Sequence, residues 1–552
     1  MNAKDLIKKA ESLQGSRSNF ETEWQNVADY FRPTKANVTV ERSQGDKSHI
    51  QQLYESAPIN FVYELKSIVI GILFNRSIKP INIKSENEEL NENQAIKDWI
   101  ADFTDMLLAQ MFNPKSNFER ALSEAVADDI AFGTMATLIE EGKEFPLRYT
   151  TLNIKNFLIA ENDEGVVDYV IIKDKKTARQ IVSKWGDNPQ AQISEKITKA
   201  LETEPFKEFE LQLHILPRKE RDKNKIDRLN KKIAGYWVDV ENNLIIEEIG
   251  WDSMPVAVGR SEKATGEMYG TSRAMIALPD ARQLNQMSKI VNEASELAIR
   301  PPLNVNATYT KRINLRAGAL NSPDAKTLPV GRAAIEPIIT TGNIPLTQDL
   351  IARKEQNIRE VFFLDKLKIF DDARATATQI LELRAESLRI MGDFTFGVID
   401  YIEQLLDRSF NIIFNKIYFV DETNQYQVIT GNGLFTKPFP KELAESPNLK
   451  INYQNPITQA QKLNEATAIE KLIANMANLA QIKPEVFDLL DSDKVVRKYS
   501  DILSVDPDII KDKILVMKER QVRQQQMEQQ QALDQEQQAM QTASMAKQSK
   551  LI

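Results

Sequence analysis

No cysteine occurs in the 552 residues, and only two histidines do. Disulfides, thiol nucleophiles and cysteine-ligated zinc are therefore excluded. A Ser-His-Asp relay would have to use His49 or His214. Glycine (19) and proline (22) are also scarce, together about 7% of the chain against a usual ~12%. Few turn residues over such a length favour long helices over many short strands. Long apolar runs are missing as well. The most apolar stretch, Phe61 to Phe74, is interrupted by Glu64 and Lys66 and is too short to cross a bilayer. The first residues carry Lys4, Asp5, Lys8 and Lys9 and lack the apolar core of a signal peptide, so a soluble protein with no membrane partner is expected. A positive excess is absent too: 71 Lys and Arg against 79 Asp and Glu give a net charge of −8, which argues against a freestanding duplex-DNA binder.

What is present is an ordinary globular composition, 42% hydrophobic and 27% charged, long enough for about three or four structural units. Leu6, Leu13, Phe20, Trp24, Val27 and Phe31 predict one helix over 1–32, ended by Pro33. Further helices are expected at 54–75, 93–112 and 116–133. The period then changes to strands around 137–149, at 155–160 and at 166–173. Residues 206–216 alternate, with Phe209, Leu211, Leu213 and Ile215 on one face and Glu210, Gln212 and His214 on the other. A hairpin over 234–249 completes an α+β unit spanning 1–260.

A different texture follows. Pro279-Asp280 suits a first helical turn, and Leu284, Met287, Val291, Ala294 and Leu297 or Ala298 form one narrow apolar stripe along a helix reaching Ile299. Arg300-Pro301-Pro302 stops it, and 303–345 is rich in Gly and Pro. A second helix is expected from Leu346 to Phe363, then a loop over 364–375. Thr376 and Gln379 form a capping box opening a helix to about Tyr418, with Gly392 and Gly397 as bend sites. A hairpin at Gly431-Asn-Gly433, helices at 458–480 and 484–502, and a Gln-rich end after Pro507 complete the chain. The fold class is α+β, mostly helical.

No active site emerges. There is no Walker loop, and His214 and His49 read as packing or surface residues, not ligands. The carboxylate runs at 85–92 and 161–164 read as solvated charge, and Asp506, Asp508 and Asp512 as a helix-end preference. Neither metal nor cofactor is expected, and no enzyme. The cluster Lys366, Lys368, Arg374 is read as a loop that touches phosphates weakly.

Gly266-x-x-Tyr269-Gly270-x-Ser272, Leu278-Pro-Asp280-x-x-x-Leu284-Asn285 and Pro301-Pro302-Leu303 together resemble the portal, or head-to-tail connector, proteins of short-tailed bacteriophages. Arg374-Ala-Thr376-Ala-Thr-Gln379 resembles the family's Arg-x-Thr-Ala-x-Glu, with Gln in place of Glu, and Trp24-x-x-Val27-Ala28-x-Tyr30 supports it. The resemblance implies a ring, usually of twelve copies, at one capsid vertex, with a channel for double-stranded DNA that is bound without sequence preference. It implies a wing over 1–270, a first stem helix over 271–299, a clip over 300–345 and a second stem helix over 346–363. A tunnel loop over 364–375, a long kinked helix with wing strands over 376–456, a helical crown over 457–506 and a Gln-rich barrel or tail over 507–552 would follow. Lys311, Arg312 and Arg316 would then dock the large terminase subunit and later the tail adaptor and nozzle proteins. The major capsid protein and internal core proteins are further expected partners, and the expected location is the virion's portal vertex, with the host cytoplasm during assembly. The rival reading is a viral scaffold or internal core protein with no channel.

Overall fold

A computed structural model describes residues 2–301, 303–305, 335–337, 344–367, 391–418, parts of 428–503, and 516–531, with short gaps at 44, 75–79, 88–89, 143–144 and 223–226. Along the chain run helices α1 (Ala3–Ser16), α2 (Ser18–Phe31) and α3 (Ala57–Leu73), strand β1 (Ile81–Ser85), α4 (Gln94–Met111) and α5 (Phe118–Phe132). Strands β2 (Thr134–Glu140), β3 (Arg148–Thr151), β4 (Phe157–Glu161) and β5 (Val167–Thr177) lead to α6 (Ala178–Trp185) and α7 (Glu195–Thr203). Then come β6 (Glu208–Pro217), β7 (Ile233–Asp239), β8 (Leu244–Trp251), β9 (Val256–Arg260) and α8 (Arg273–Ile299). The short strands β10 (Leu303–Val305) and β11 (Ile335–Pro337) precede α9 (Ile344–Val361), α10 (Leu364–Leu367) and α11 (Asp393–Tyr418). Strands β12 (Val428–Thr430), β13 (Gly433–Phe435) and β14 (Leu449–Tyr453) and helices α12 (Pro456–Ala480) and α13 (Ser492–Leu503) follow. The mostly helical α+β class is as expected.

The chain forms two compact units: 1–80 with 110–415, and 81–109 with 416–552. In the second, β1 pairs antiparallel with β14, Ile83 opposite Ile451, so the segment 81–109 belongs with the C-terminal part and not with its sequence neighbours in 1–260. Trp99 stacks on Phe103 in α4, and Glu470 of α12 accepts a bond from Tyr499 of α13.

In the first unit a five-stranded antiparallel sheet runs β4-β5-β6-β7-β8 and a three-stranded one β3-β2-β9. Alternation along β6 predicts one wet face, yet Gln212 and His214 are buried. The reason is α1, whose Leu6 and Ile7 cluster with Leu216, Tyr236 and Val238 over that face. Trp185 of α6 meets Trp237 edge-on at 5.3 Å and covers the other. Both faces are thus filled, as in a sandwich layer.

The expected single helix over 1–32 is two. The buried Arg17 guanidinium donates to the carbonyls of Ile154 (3.0 Å), Lys155 (3.2 Å) and Phe157, and the chain breaks there to let it. Pro279 lies inside α8, seven residues into it, not in its first turn. It deprives the Met275 carbonyl of its intrahelical donor. The second helix of the pair ends at Val361, and Phe363 takes a left-handed φ of 57°. Its following segment is not all loop, since Leu364–Leu367 is helical and carries Lys366. Gly392 takes a left-handed φ of 49° just before α11, and Gly397 lies inside that helix, close against the Arg260 backbone. The hairpin at Gly431-Asn-Gly433 is present as β12–β13, Thr430 opposite Gly433.

Candidate functional site

Two features of the first unit organise the rest: a dense hub at the start of α8, and the α8–α9 pair that leaves it. The hub is built on the C-terminal end of α5, whose last carbonyls lack intrahelical donors. Three distant segments supply them. Ser272 Oγ donates to Ala131 O (2.7 Å), the Trp24 indole N–H to Phe132 O (3.1 Å), and the Ser261 amide to Gly133 O (3.0 Å). Ser272 also caps α8, its Oγ accepting from the Met275 amide at 2.9 Å. The Gly270 amide donates to Thr134 Oγ1 at 3.1 Å. Tyr269 is buried edge-on against Trp24 (5.0 Å) beside Phe20 (5.4 Å). The sequence motifs around Trp24 and Tyr269-Gly270-x-Ser272 therefore meet at one place. Spacing alone gave no sign of that, because 245 positions separate Trp24 from Tyr269.

Asp129 lies at the same place, fully buried, accepting from Ser261 Oγ. Burial raises its carboxyl to about 7, against which the Ser261 bonds work only in part. Asp128 beside it faces the other way and pairs with Arg32 at 2.7 Å and with Lys35. The sequence offered no signal for either.

From the hub, α8 and α9 pack antiparallel. Asp280 and Lys354 pair at 2.7 Å, and nearer the root the Arg273 guanidinium lies 4.4 Å over the Phe363 ring. Asp365 accepts from Gln356 (2.6 Å) and Arg359 (3.2 Å), which fixes the turn after α9, and Arg359 also lies 5.1 Å over Phe61 of α3. An open groove of about 710 Å³ at the root is lined by Arg273, Ile276, Asp280, Gln356 and Phe363 among others. It is mixed in charge and holds no convergent set of acid and base. A strap at 52–55 crosses α8: Asn285 Oδ1 accepts from the Tyr54 amide (2.7 Å) and its Nδ2 donates to Gln52 O (3.3 Å). Ser288 Oγ adds a bond to Glu55 at 3.3 Å.

The apolar stripe of α8 is covered only at its root. Leu284 is buried, Met287, Val291 and Ala294 are half-buried, and Leu297 is 49% exposed. Ile290 (48%), Ile299 (79%) and, on α9, Leu346 (56%) are open as well. The exposure of these side chains thus rises from root to tip, where β10 and β11 pair as Asn304 opposite Glu336.

Of the other sequence-derived positions, Lys366 is placed on α10, while Lys368, Arg374, Thr376 and Gln379 lie outside the described residues, as do Lys311, Arg312 and Arg316. His214 is buried between the Tyr169 hydroxyl (2.8 Å) and Gln212 (3.1 Å), and burial lowers it to about 3, so it is neutral. His49 Nε2 faces Pro33 O at 2.7 Å. Among the described residues no group of three His, Asp or Glu side chains is placed to hold a metal, and no helix is long and apolar enough to cross a membrane.

Residues 3–416 and 432–510 match the family described as "Bacteriophage head to tail connecting protein". The chain belongs to that family, and the resemblance drawn from its motifs is borne out. It is 24% identical over 532 residues to the probable portal protein of Bordetella phage BPP-1, covering 94% of this chain and 91% of that one. To the portal protein of Salmonella phage epsilon15 it is 23% identical over 536 residues, with the same shares covered. Among solved structures, a chain from the virion of a native gene transfer agent particle aligns at a TM-score of 0.36 and 8% identity, covering 79% of this chain and 92% of that one. Likeness at that level carries no functional weight.

Proposed function

We propose that this chain is a portal subunit: twelve copies close into a ring at one capsid vertex, around a channel through which double-stranded DNA enters and leaves. The observation that carries this reading is the α8 stripe, buried at Leu284 and open at Leu297. Covering one such half-exposed side chain is worth about 1 kcal/mol, and a ring supplies a neighbour on each side of every copy. Family membership and the portal names of its two relatives support it.

In this reading α8 and α9 are the stem, the segment 300–345 the clip, and 364–375 a constriction where Lys366, Lys368 and Arg374 touch passing phosphates. Contacts that few leave DNA free to slide, since binding strength scales with the phosphates neutralised. The clip's Lys311, Arg312 and Arg316 would meet the terminase and then the tail adaptor and nozzle, and the wing the major capsid protein. Internal core proteins would meet the C-terminal part. The chain itself would be structural, a virion component assembled in the host cytoplasm, beside an ATPase without being one.

Negative-stain electron microscopy of the purified protein with native mass measurement tests this. Rings with a central hole near twelve copies of 62.9 kDa are expected. Filaments or elongated dimers would overturn it in favour of a scaffold or core protein.

A further inference from the structure

The connection between β6 and β7 has no part in the stem, the clip or the constriction, yet it is strongly basic in an acidic chain. Of the fifteen residues from Arg218 to Lys232, eight are Lys or Arg and three are Asp or Glu, a net of +5. The chain as a whole is −8, so all the rest carries −13.

The two ends of this connection are built. The Arg218 amide donates to Lys232 O at 2.9 Å, and Asn230 binds the Asp222 amide through Oδ1 at 3.0 Å. Gly250 of β8 makes room for it, since a Cβ there would sit 2.2 Å from the Arg228 carbonyl oxygen. Three of the cations are used in holding this base to β8 and the turn after it. Arg218 pairs with Glu248, Arg228 with Glu247 (3.0 Å) and Lys231 with Asp252 (2.9 Å). Lys219, Arg221 and Lys232 are exposed and form no ion pair among the described residues; the field of Lys232 reaches the Asp407 carboxylate.

We infer that Lys219, Arg221 and Lys232 form a docking surface for the phosphate backbone of duplex nucleic acid, separate from the basic segment at 364–375. The residue types choose between partners. Lysine is a point charge that suits phosphate without fixing an orientation. Protein interfaces deplete lysine and enrich aromatics at their centres, and no aromatic occurs from Arg218 to Lys232. Lys219, Arg221 and Lys232 lie in the loop ends at the base of this connection, not on a helix or β-ribbon that could enter the major groove, so they meet the backbone and binding is independent of sequence.

The test uses the full-length assembled protein and covalently closed circular duplex DNA, which cannot thread a ring and so reports contacts other than a channel. Binding is measured from 50 to 200 mM NaCl for the wild type, for K219A/R221A/K232A and for K366A/K368A/R374A. The wild type should retain the circle, and the first variant should lose at least about tenfold in affinity at 50 mM. Its log–log salt slope should fall by about 2.7, so that it loses about 40-fold less affinity over that range than the wild type does. The second variant should match the wild type. A wild type that ignores closed circles, an unchanged slope in the first variant, or loss confined to the second would each overturn the assignment. So would loss of binding to empty capsid shells by the first variant with circle binding intact, which would make an acidic protein surface the partner. Ring closure is scored separately by native mass, which tells a failure of the ring reading apart from a failure of this assignment.

Discussion

Gly133 and Gly270 meet backbone to backbone: a Cβ on Gly133 would lie 2.4 Å from the Gly270 carbonyl oxygen, and one on Gly270 would lie 2.2 Å from that of Gly133. Gly133 is in addition left-handed, with φ 71°. Gly270→Ala should therefore cost more than about 3 kcal/mol, from overpacking against backbone that cannot yield. Gly133→Ala adds the left-handed penalty of about 1–2 kcal/mol. Chemical denaturation of both variants checks this, and a midpoint unchanged in either would show that the hub is slack.

That contact also marks where sequence reasoning reached and where it stopped. Periodicity found α3, α5, the β7–β8 hairpin and the α8 stripe, because each depends on neighbours a few residues away. The break at Arg17 was not legible, since its cause lies 137 to 140 residues downstream at Ile154 and Phe157. Nor was the burial of His214, which depends on α1 covering the polar side of β6. Strand β9 went unseen because five residues with Gly259 among them give too short a pattern. At the site, the stripe was read from spacing, but Gly133, Ser261 and Asp129 carried no motif of their own.

The stem reading predicts a separation of folding from assembly. Val291→Asp with Leu297→Asp places charge on surface that is half-buried or open in one chain. The subunit should keep its far-UV spectrum while rings disappear from native mass spectra. Rings that persist would remove the stripe from the interface.

The strap at 52–55 rests on Asn285, whose amide binds one backbone donor and one acceptor. Asn285→Ala should cost about 1–3 kcal/mol of local stability. Trypsin cleavage after Arg42 and Lys47 should then speed up about 5–160-fold with the global unfolding midpoint little changed. Equal cleavage rates would mean that Ser288 and Glu55 suffice.

Two buried groups give opposite pH slopes. His214 drops from 6.5 to about 3 on folding, so the unfolded chain binds the extra proton and stability falls as pH is lowered from about 6.5. Asp129 rises from 3.8 to about 7, so its contribution is present below about 3.8 and is lost as pH rises through 7. The two offset each other between about pH 4 and 6.5. Asp129→Asn should gain thermal stability over the wild type as pH rises toward 7, and His214→Gln should gain as pH falls below 6.5. Parallel pH profiles in all three proteins would refute both assignments.

Strand β9 ends its sheet, and its outer rim is closed by Gln404 of α11, whose Oε1 accepts from the Val258 amide (2.9 Å) while Nε2 donates to the Val258 carbonyl (3.0 Å). A primary amide repeats the donor and acceptor of one peptide group, so it fits the rim at a single residue. Sliding α11 by one turn, about 5.4 Å, would strand both groups of Val258. Tyr401, bonded to Thr137 at 2.7 Å, and Ser409, bonded to Tyr149 at 2.7 Å, fasten the same helix on either side of that point. A helix riveted at three places along its length can tilt only with the sheet it rests on, and whatever pulls on its far end pulls on β2 as well.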